Sequence, residues 1–202
     1  MNIDQKIRKL GELSHYIKAD GQRLQAVKSQ AKAQNPWFTM DNIDFALSSI
    51  AENMLNEEKL HEWISGYEFG SHSRNIGLIL AGNIPLVGFH DLLCCYLSGH
   101  QALVKTSSKD SVLTLHLLQI LGTESQFTVV DRLTGMEAVI ATGSNQSALQ
   151  FENYFKKLPR IIRRNRNAVA VLGNDITEME IIELGKDIFT YFGLGCRNVS
   201  KI

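Results

Sequence analysis

The sequence has no apolar stretch long enough to cross a membrane and no excess of either charge. No run approaches the roughly 18 apolar residues of a spanning helix, and the amphipathic first residues lack the apolar centre of a secretory signal. Lys plus Arg number 21 and Asp plus Glu number 21, so the basic excess typical of nucleic-acid binders is missing. These absences predict a cytoplasmic protein with no membrane span and no nucleic-acid partner.

Cysteine is also scarce, and its arrangement excludes two further classes. The three cysteines are Cys94, Cys95 and Cys196, an odd number with two adjacent, which does not resemble a disulfide framework. No Cys/His spacing matches a zinc site, so we expect free thiols and no metal. No Gly-x-Gly-x-x-Gly follows an apolar run, so the ordinary dinucleotide-binding fingerprint is absent as well.

What is present describes a folded α/β protein. Hydrophobic residues make up 44% and charged residues 21% of 202 positions, close to the average for globular chains. Residues 1–65 show helical spacing of apolar side chains, whereas from Arg74 short apolar runs alternate with helical segments. This alternation predicts a doubly wound parallel sheet preceded by an N-terminal helical region. We expect a nucleotide-binding domain over residues 66–175, and the start of a further domain over residues 176–202.

Polar residues follow several of the predicted strands. Asn83, in Gly-Asn-Ile-Pro, follows the first apolar run, Lys105 and Ser107 follow the second, and Gly143-Ser144 follows a later one before a helix. Ligands of open α/β sheets bind beyond the carboxyl ends of the strands, so we expect these residues to face one crevice. Gly143 permits close backbone approach, and Ser144 can cap a helix whose free N–H groups favour a phosphate.

Each of these signals also has an ordinary explanation. Gly-Ser before a helix is a common turn and cap, a lysine ending a strand is often a solvated tip, and Asn-x-Pro often only enters a helix. Their joint position is consistent with any doubly wound ligand-binding domain.

The cysteines differ in their surroundings. Cys94 and Cys95 lie in an apolar helical segment, which predicts core packing for both. Cys196 lies after Gly193 and Gly195 and before a cation, Arg197, in a stretch without apolar periodicity. Such surroundings favour a thiolate, although Gly-x-Gly-Cys is not a specific motif.

In order, the segments GNIPL, QALVKTSS, ATGSNQSA and YFGLGCRN resemble the aldehyde dehydrogenase superfamily over about residues 74–200. More narrowly, LAGNIPLVGFHDLL and RIIRRNRNAVAVL resemble the LuxC-type acyl-CoA reductases, typified by the fatty acid reductase of bacterial bioluminescence. The resemblance implies an aldehyde dehydrogenase-like fold and NAD(P)H-dependent reduction of an acyl-CoA, expected to be fatty acyl, to an aldehyde.

The resemblance also implies a role for each matching residue. Cys196 matches the nucleophile that forms a thioacyl enzyme, and Asn83 matches the amide that stabilises the oxyanion. Lys105 matches a cofactor ribose contact, and Gly143 with Ser144 matches the turn at the pyrophosphate. It further implies an acyl-CoA or acyl-protein donor and a homo-oligomer in the full-length form.

Departures from the superfamily pattern refine this expectation. Aldehyde-oxidising members carry a glutamate, a general base, about 34 residues before the cysteine; here residues 160–167 contain no carboxylate, which favours acyl reduction over hydrolysis. NAD-preferring relatives often place an acid shortly after the lysine, whereas here hydroxyl residues, Ser107 among them, follow Lys105; this favours NADPH, with NADH possible.

The chain ends soon after Cys196, whereas superfamily members continue well beyond it. We therefore expect an N-terminal fragment whose own activity is doubtful. Two other functions stay open: a nucleotide-binding or interaction module with an inert cysteine, and a cysteine acyltransferase that never uses hydride.

Overall fold

The computed structural model describes residues 1–70, 72–123 and 125–202. The α-helices are α1 (Ile3–Ala19), α2 (Gln22–Gln34), α3 (Met40–Ser49), α4 (Glu57–Ser65), α5 (Phe89–Ser98), α6 (Ser111–Leu121), α7 (Asn145–Tyr154) and α8 (Glu178–Phe189). The strands are β1 (Asn75–Ile79), β2 (Gln101–Lys105), β3 (Phe127–Val129), β4 (Ala138–Thr142), β5 (Arg160–Arg163), β6 (Ala168–Val169) and β7 (Val199–Lys201). A π-helical turn (Ile50–Met54) extends α3, and a 3-10 turn (Thr190–Gly193) follows α8.

The main sheet is parallel, with strand order β3-β2-β1-β4-β5. The chain builds outward from β1 through β2 to β3, crosses back to the other side of β1, and continues through β4 to β5. This is the doubly wound topology, and it confirms the predicted α/β class. The order reverses between β1 and β4, and the crevice of such a sheet opens at that point.

Both faces of the sheet are covered, because its strands alternate between two apolar clusters. Ile76, Leu78 and Val104 point toward the helices of one face. Val139 and Ala141 point to the other face, into a smaller cluster supplied by α7 and by the connection between β3 and β4. Burial on both faces is typical of a parallel sheet.

The predicted N-terminal helical region is confirmed as α1 to α4. A capping box between Asn2 and Gln5 starts α1, whose buried side chains pack against α5 and α6. The buried Lys6 donates through Nζ to the carbonyl oxygen of Tyr96 (2.6 Å) and to that of Leu97 (3.3 Å), near the end of α5. This amine ties the helical region to the face of the sheet, and burial lowers the pKa of Lys6.

Two elements differ from the sequence-based expectation. The segment RIIR, which we did not expect to be a strand, forms the edge strand β5, whose Ile161 is exposed. The apolar run at residues 168–173 is a strand only over β6, which pairs with β7 outside the main sheet, and Val171 is 93% exposed. Within the described ranges, no helix is both long and apolar enough to span a membrane.

Candidate active site

The predicted site residues lie along one edge of the sheet. Strands β2, β1 and β4 are parallel neighbours, so their carboxyl ends are adjacent. Asn83 follows β1, Lys105 ends β2, and Gly143 with Ser144 follows β4. Asn83 and Ser144, both exposed, therefore flank the point where the strand order reverses.

Asn83 lies in a tight turn that leads from β1 into α5, here called the Asn83 turn (residues 82–88). At Gly82 a side-chain carbon would overlap Ser107 and lie 3.3 Å from Cβ of Asp110, so only glycine fits. At Leu86 the backbone is left-handed, with φ of 56°, which is uncommon for a residue other than glycine. The turn is therefore packed closely against the loop that follows β2.

The Asn83 side chain contacts the loop that carries the cysteine. Its Nδ2 donates to the carbonyl oxygen of Leu194 at 2.6 Å. We call residues 193–198 the nucleophile loop, because the family resemblance implies that Cys196 is a nucleophile; Leu194 is two residues before Cys196. Residues separated by more than a hundred positions in the sequence thus meet at the carboxyl edge of the sheet.

Asn198 holds the nucleophile loop in shape. Its Oδ1 accepts from the backbone N–H of Gly195 at 2.7 Å. Its Nδ2 donates to the carbonyl oxygens of Asp187 (2.8 Å) and Thr190 (3.0 Å) at the end of α8. We did not predict this role, because nothing in the local sequence distinguishes Asn198 from a solvated loop residue.

Two aromatic residues before this loop have left-handed backbones. Tyr191 and Phe192 have φ of 55° and 57°, a conformation that costs bulky residues free energy. Their rings contact the helical region, Tyr191 with Phe45 (5.7 Å between centroids) and Phe192 with Trp37 (5.5 Å). Burial raises the pKa of Tyr191 to about 12.

The three thiols are in different environments. Cys196 is exposed, whereas Cys95 is buried, and burial raises the pKa of Cys95 to about 12. Core packing was expected for both adjacent cysteines, but Cys94 is only half-buried, because its Sγ faces the exposed His90 at 3.7 Å from Nδ1. Burial also raises the pKa of Cys94, so the neutral thiol is favoured at both positions.

Lys105 and Ser107 lie at the carboxyl end of β2. The exposed Lys105 donates through Nζ to the carbonyl oxygen of Asp131 at 2.6 Å, beyond the end of β3. Ser107 accepts through Oγ from the backbone N–H of Lys109 at 3.2 Å. An ammonium group has three N–H donors, so Lys105 can bind a further acceptor.

Gly143 and Ser144 connect β4 to α7. Ser144 is the N-cap of α7, and its Oγ accepts from the backbone N–H of Ser147 at 3.1 Å. A side-chain carbon at Gly143 would lie 3.0 Å from Cβ of Ser147 and 3.1 Å from Cε2 of Phe151. Glycine therefore lets the first turn of α7 pack closely against the end of β4.

Two of the four arginines of residues 160–167 pair with carboxylates from neighbouring helices. Arg163 donates through Nη1 to both carboxylate oxygens of the buried Asp91 of α5, at 2.6 and 2.7 Å. Arg164 forms an ion pair with Glu152 of α7 at 2.5 Å. The apolar context of Asp91 in the sequence gave no sign of this buried pair.

Comparison with known families and structures agrees with this architecture. Residues 8–183 match the family model described as Acyl-CoA reductase (LuxC). No curated protein sequence matches the chain.

Solved structures, aldehyde dehydrogenases among them, share the fold. Aldehyde dehydrogenase 21 from Physcomitrella patens matches with a TM-score of 0.76 at 13% identity, over 98% of this chain and 48% of that one. An aldehyde dehydrogenase from Bacillus cereus, solved with NAD+, matches with a TM-score of 0.72 at 14% identity, over 99% of this chain and 46% of that one. An NADP-dependent enzyme from E. coli matches with a TM-score of 0.76 at 13% identity, over 98% and 47%.

The chain thus spans about half the length of these structures. At such low identity the structural matches establish the fold alone, whereas the family model covers most of the chain. The chain belongs to the LuxC acyl-CoA reductase family and has the aldehyde dehydrogenase fold.

Proposed function

We propose that this chain carries the acyl-transfer site of an acyl-CoA reductase, with Cys196 as nucleophile and Asn83 as oxyanion donor. The observation that carries the proposal is the hydrogen bond from Asn83 to Leu194, because it joins the Asn83 turn to the nucleophile loop. Family membership supplies the reaction class.

The geometry suits attack on a thioester. Cys196 is the exposed thiol, and its thiolate would attack the acyl carbonyl while the thiolate of coenzyme A leaves. The Asn83 amide has two N–H donors, and the bond to Leu194 uses one of them. The second can meet the oxygen that becomes negative, together with the backbone N–H of Cys196.

The arginines of residues 160–167 support reduction over hydrolysis. Water attack on a thioacyl enzyme needs a general base near the acyl group. This segment contains no carboxylate, and two carboxylates of neighbouring helices, Asp91 and Glu152, are paired with Arg163 and Arg164. Because the superfamily resemblance puts the general base of aldehyde-oxidising members in this segment, we expect an acyl group on Cys196 to be protected from hydrolysis.

The carboxyl edge of the sheet fits a dinucleotide cofactor. The crevice at the strand-order reversal is the usual place for one, and the N-terminus of α7 beyond Gly143 and Ser144 presents free N–H groups to a phosphate. Lys105 and Ser107 would contact the ribose of the adenosine half. When bound, the reduced nicotinamide supplies the hydride for the acyl group on Cys196.

We favour NADPH over NADH, because hydroxyl side chains rather than an acid follow Lys105. The matched structures are divided on this point, since one is described with NAD+ and another as NADP-dependent. Comparing the binding of NADPH and NADH to the chain by fluorescence tests this preference.

The remaining expectations are proposals about the protein in its cellular setting. Residues 1–65 would form a helical region, residues 66–175 the nucleotide-binding unit and residues 176–202 the unit of the nucleophile loop. The acyl donor would be a fatty acyl-CoA or an acyl-protein, in the cytoplasm, with assembly as a homo-oligomer.

Intact mass spectrometry after incubation with a long-chain acyl-CoA tests the acyl-transfer step. We expect one acyl adduct, absent in Cys196→Ala and retained in the matched variant Cys94→Ala, followed by loss of the adduct on addition of NADPH. An adduct that persists in Cys196→Ala would contradict the nucleophile assignment.

A further inference from the structure

A buried acid lies beneath the Asn83 turn. Asp110, between β2 and α6, is 4% exposed, and its Oδ2 accepts from the backbone N–H of Leu86 at 2.7 Å. Its Oδ1 is also buried and finds no hydrogen-bond partner among the residues that the structure describes. Although Asp110 directly precedes α6, its side chain forms no cap bond to that helix. Within the described chain, the one hydrogen bond that the Asp110 side chain accepts therefore comes from the Asn83 turn.

The residue that Asp110 binds is the strained point of the turn. Leu86 has a left-handed backbone, and its side chain is buried, with 3% exposed. Its carbonyl oxygen accepts from the backbone N–H of Phe89 at 2.9 Å, where α5 begins. The bond from Asp110 thus holds an unfavourable conformation between Asn83 and the start of α5.

Among the residues that the structure describes, Asp110 has no cation beside it to offset its burial. Burial raises its pKa to about 7, and the hydrogen bond from Leu86 lowers it by a smaller amount. No charged side chain contributes to this shift, and Asp110 takes part in no ion pair within the described ranges. Such a group costs folding stability, and the one contact that offsets this cost supports the turn that carries Asn83.

We propose that Asp110 is a positioning residue that fixes the Asn83 turn and so directs the Asn83 amide toward the nucleophile loop. The inference rests on the proposed function, in which that amide meets the thioester oxygen. Asp110 itself would touch neither the acyl group nor the cofactor, and would act through Leu86.

Hydrogen–deuterium exchange tests the first part of the proposal, that Asp110 fixes the Asn83 turn, and it requires no enzymatic activity. In Asp110→Ala, amides of residues 82–88 are expected to exchange at least about 10-fold faster, while peptides from α1 and β4 keep their protection. Asp110→Asn retains an acceptor for Leu86 and is expected to restore most of the protection. Unchanged exchange of residues 82–88 in Asp110→Ala, or an equal increase throughout the chain, would overturn the proposal.

If Asp110→Ala does not fold, Asp110→Ser gives the same comparison. The serine side chain is shorter than that of aspartate, so it is expected to lose the bond to Leu86 while keeping a polar group at the buried site. Slow exchange of residues 82–88 in Asp110→Ser would likewise contradict the proposal.

A double-mutant cycle tests the link to Asn83. Asp110→Ala is expected to slow acyl transfer to Cys196 by about 10- to 100-fold, and Asp110→Asn to recover most of that loss. Asn83→Ala should slow transfer similarly, and the double variant should be no slower than Asn83→Ala. The rate at which iodoacetamide alkylates Cys196 is expected to change by less than about 2-fold in all of these variants, because this reaction needs no oxyanion donor.

Multiplied effects in the double variant would show that Asp110 acts independently of Asn83, and would overturn the positioning role. A wild-type chain that takes no acyl group would contradict the proposed function, while the exchange measurement still decides whether Asp110 fixes the turn.

Discussion

Single side chains set the shape of the loops at the carboxyl edge, where regular backbone hydrogen bonding stops. Asn198 ties the nucleophile loop to Gly195 and to the end of α8 with three short hydrogen bonds. Asp110 does the same for the Asn83 turn with one bond to Leu86. Because such side chains act through tertiary contacts, their neighbours in the sequence gave no sign of these roles.

Asp110→Asn is expected to remove a pH dependence of stability. The pKa of Asp110 is higher in the folded chain, about 7, than its ordinary value of 3.8, so the folded chain holds the proton more tightly. Stability from this proton is complete below the ordinary pKa and is lost as the pH rises toward 7, a loss of about 2 to 3 kcal/mol between pH 5 and pH 8. Urea unfolding at both pH values should show this difference in the wild type and its absence in the variant. An equal pH dependence in both proteins would refute it.

Asn198→Ala is expected to impair the nucleophile loop more than the fold. The variant loses the contacts to Gly195, Asp187 and Thr190, so acyl transfer to Cys196 should fall by about 10-fold or more. Asn53→Ala, which changes an exposed residue of the helical region, is the matched control. Rates measured by mass spectrometry that fall equally in both variants would argue against the role.

At the scale of elements, each strand could be predicted from the sequence only as far as its apolar pattern is strong. Strands β1, β2 and β4 have a paired strand on each side and were predicted from their apolar runs. The edge strand β5 has only four residues, with an arginine at each end and two isoleucines between them, and was not recognised. In β6 the apolar run is longer than the strand, because pairing with β7 involves only two of its residues.

Gly143→Ala is expected to separate α7 from β4. The added methyl group would press on Ser147 and Phe151, at a cost of about 1 to 3 kcal/mol of unfolding free energy, and NADPH binding should weaken. Gly185→Ala is the matched control, because Gly185 lies inside α8 with nothing within 4 Å of the added carbon. That variant should gain up to about 1 kcal/mol. Denaturant unfolding measures both changes in unfolding free energy. A Gly143→Ala variant that is as stable as the wild type would contradict the packing argument.

Lys6→Met is expected to loosen the docking of α1 on α5. Methionine keeps the apolar stem but leaves the carbonyl oxygens of Tyr96 and Leu97 without the ammonium donor, which should cost about 1.5 to 3 kcal/mol. Lys18→Met, at an exposed position in the last turn of α1, should cost no more than about 1 kcal/mol. Thermal unfolding that shows equal losses for the two variants would contradict the buried contact.

At the scale of the whole molecule, the periodicity of the sequence was enough to predict a doubly wound sheet with a helical region before it. The topology then explains why Asn83, Lys105 and Ser144 share one edge, since they follow adjacent parallel strands. The contact between the Asn83 turn and the nucleophile loop joins residues that are far apart in the sequence, so no local sequence pattern could predict it. Family resemblance supplied the order of the motifs and hence the chemistry that we propose.

The most direct test of the proposed chemistry is the fate of the acyl group on Cys196. The chain is first loaded with acyl-CoA, freed of excess reagent, and then mixed with NADPH that carries deuterium at the transferable position. We predict release of a fatty aldehyde with one deuterium, and no release from the loaded chain without NADPH. Release of the free fatty acid, or transfer of the acyl group to another thiol with no deuterium gained, would contradict the assignment of this site to an acyl-CoA reductase.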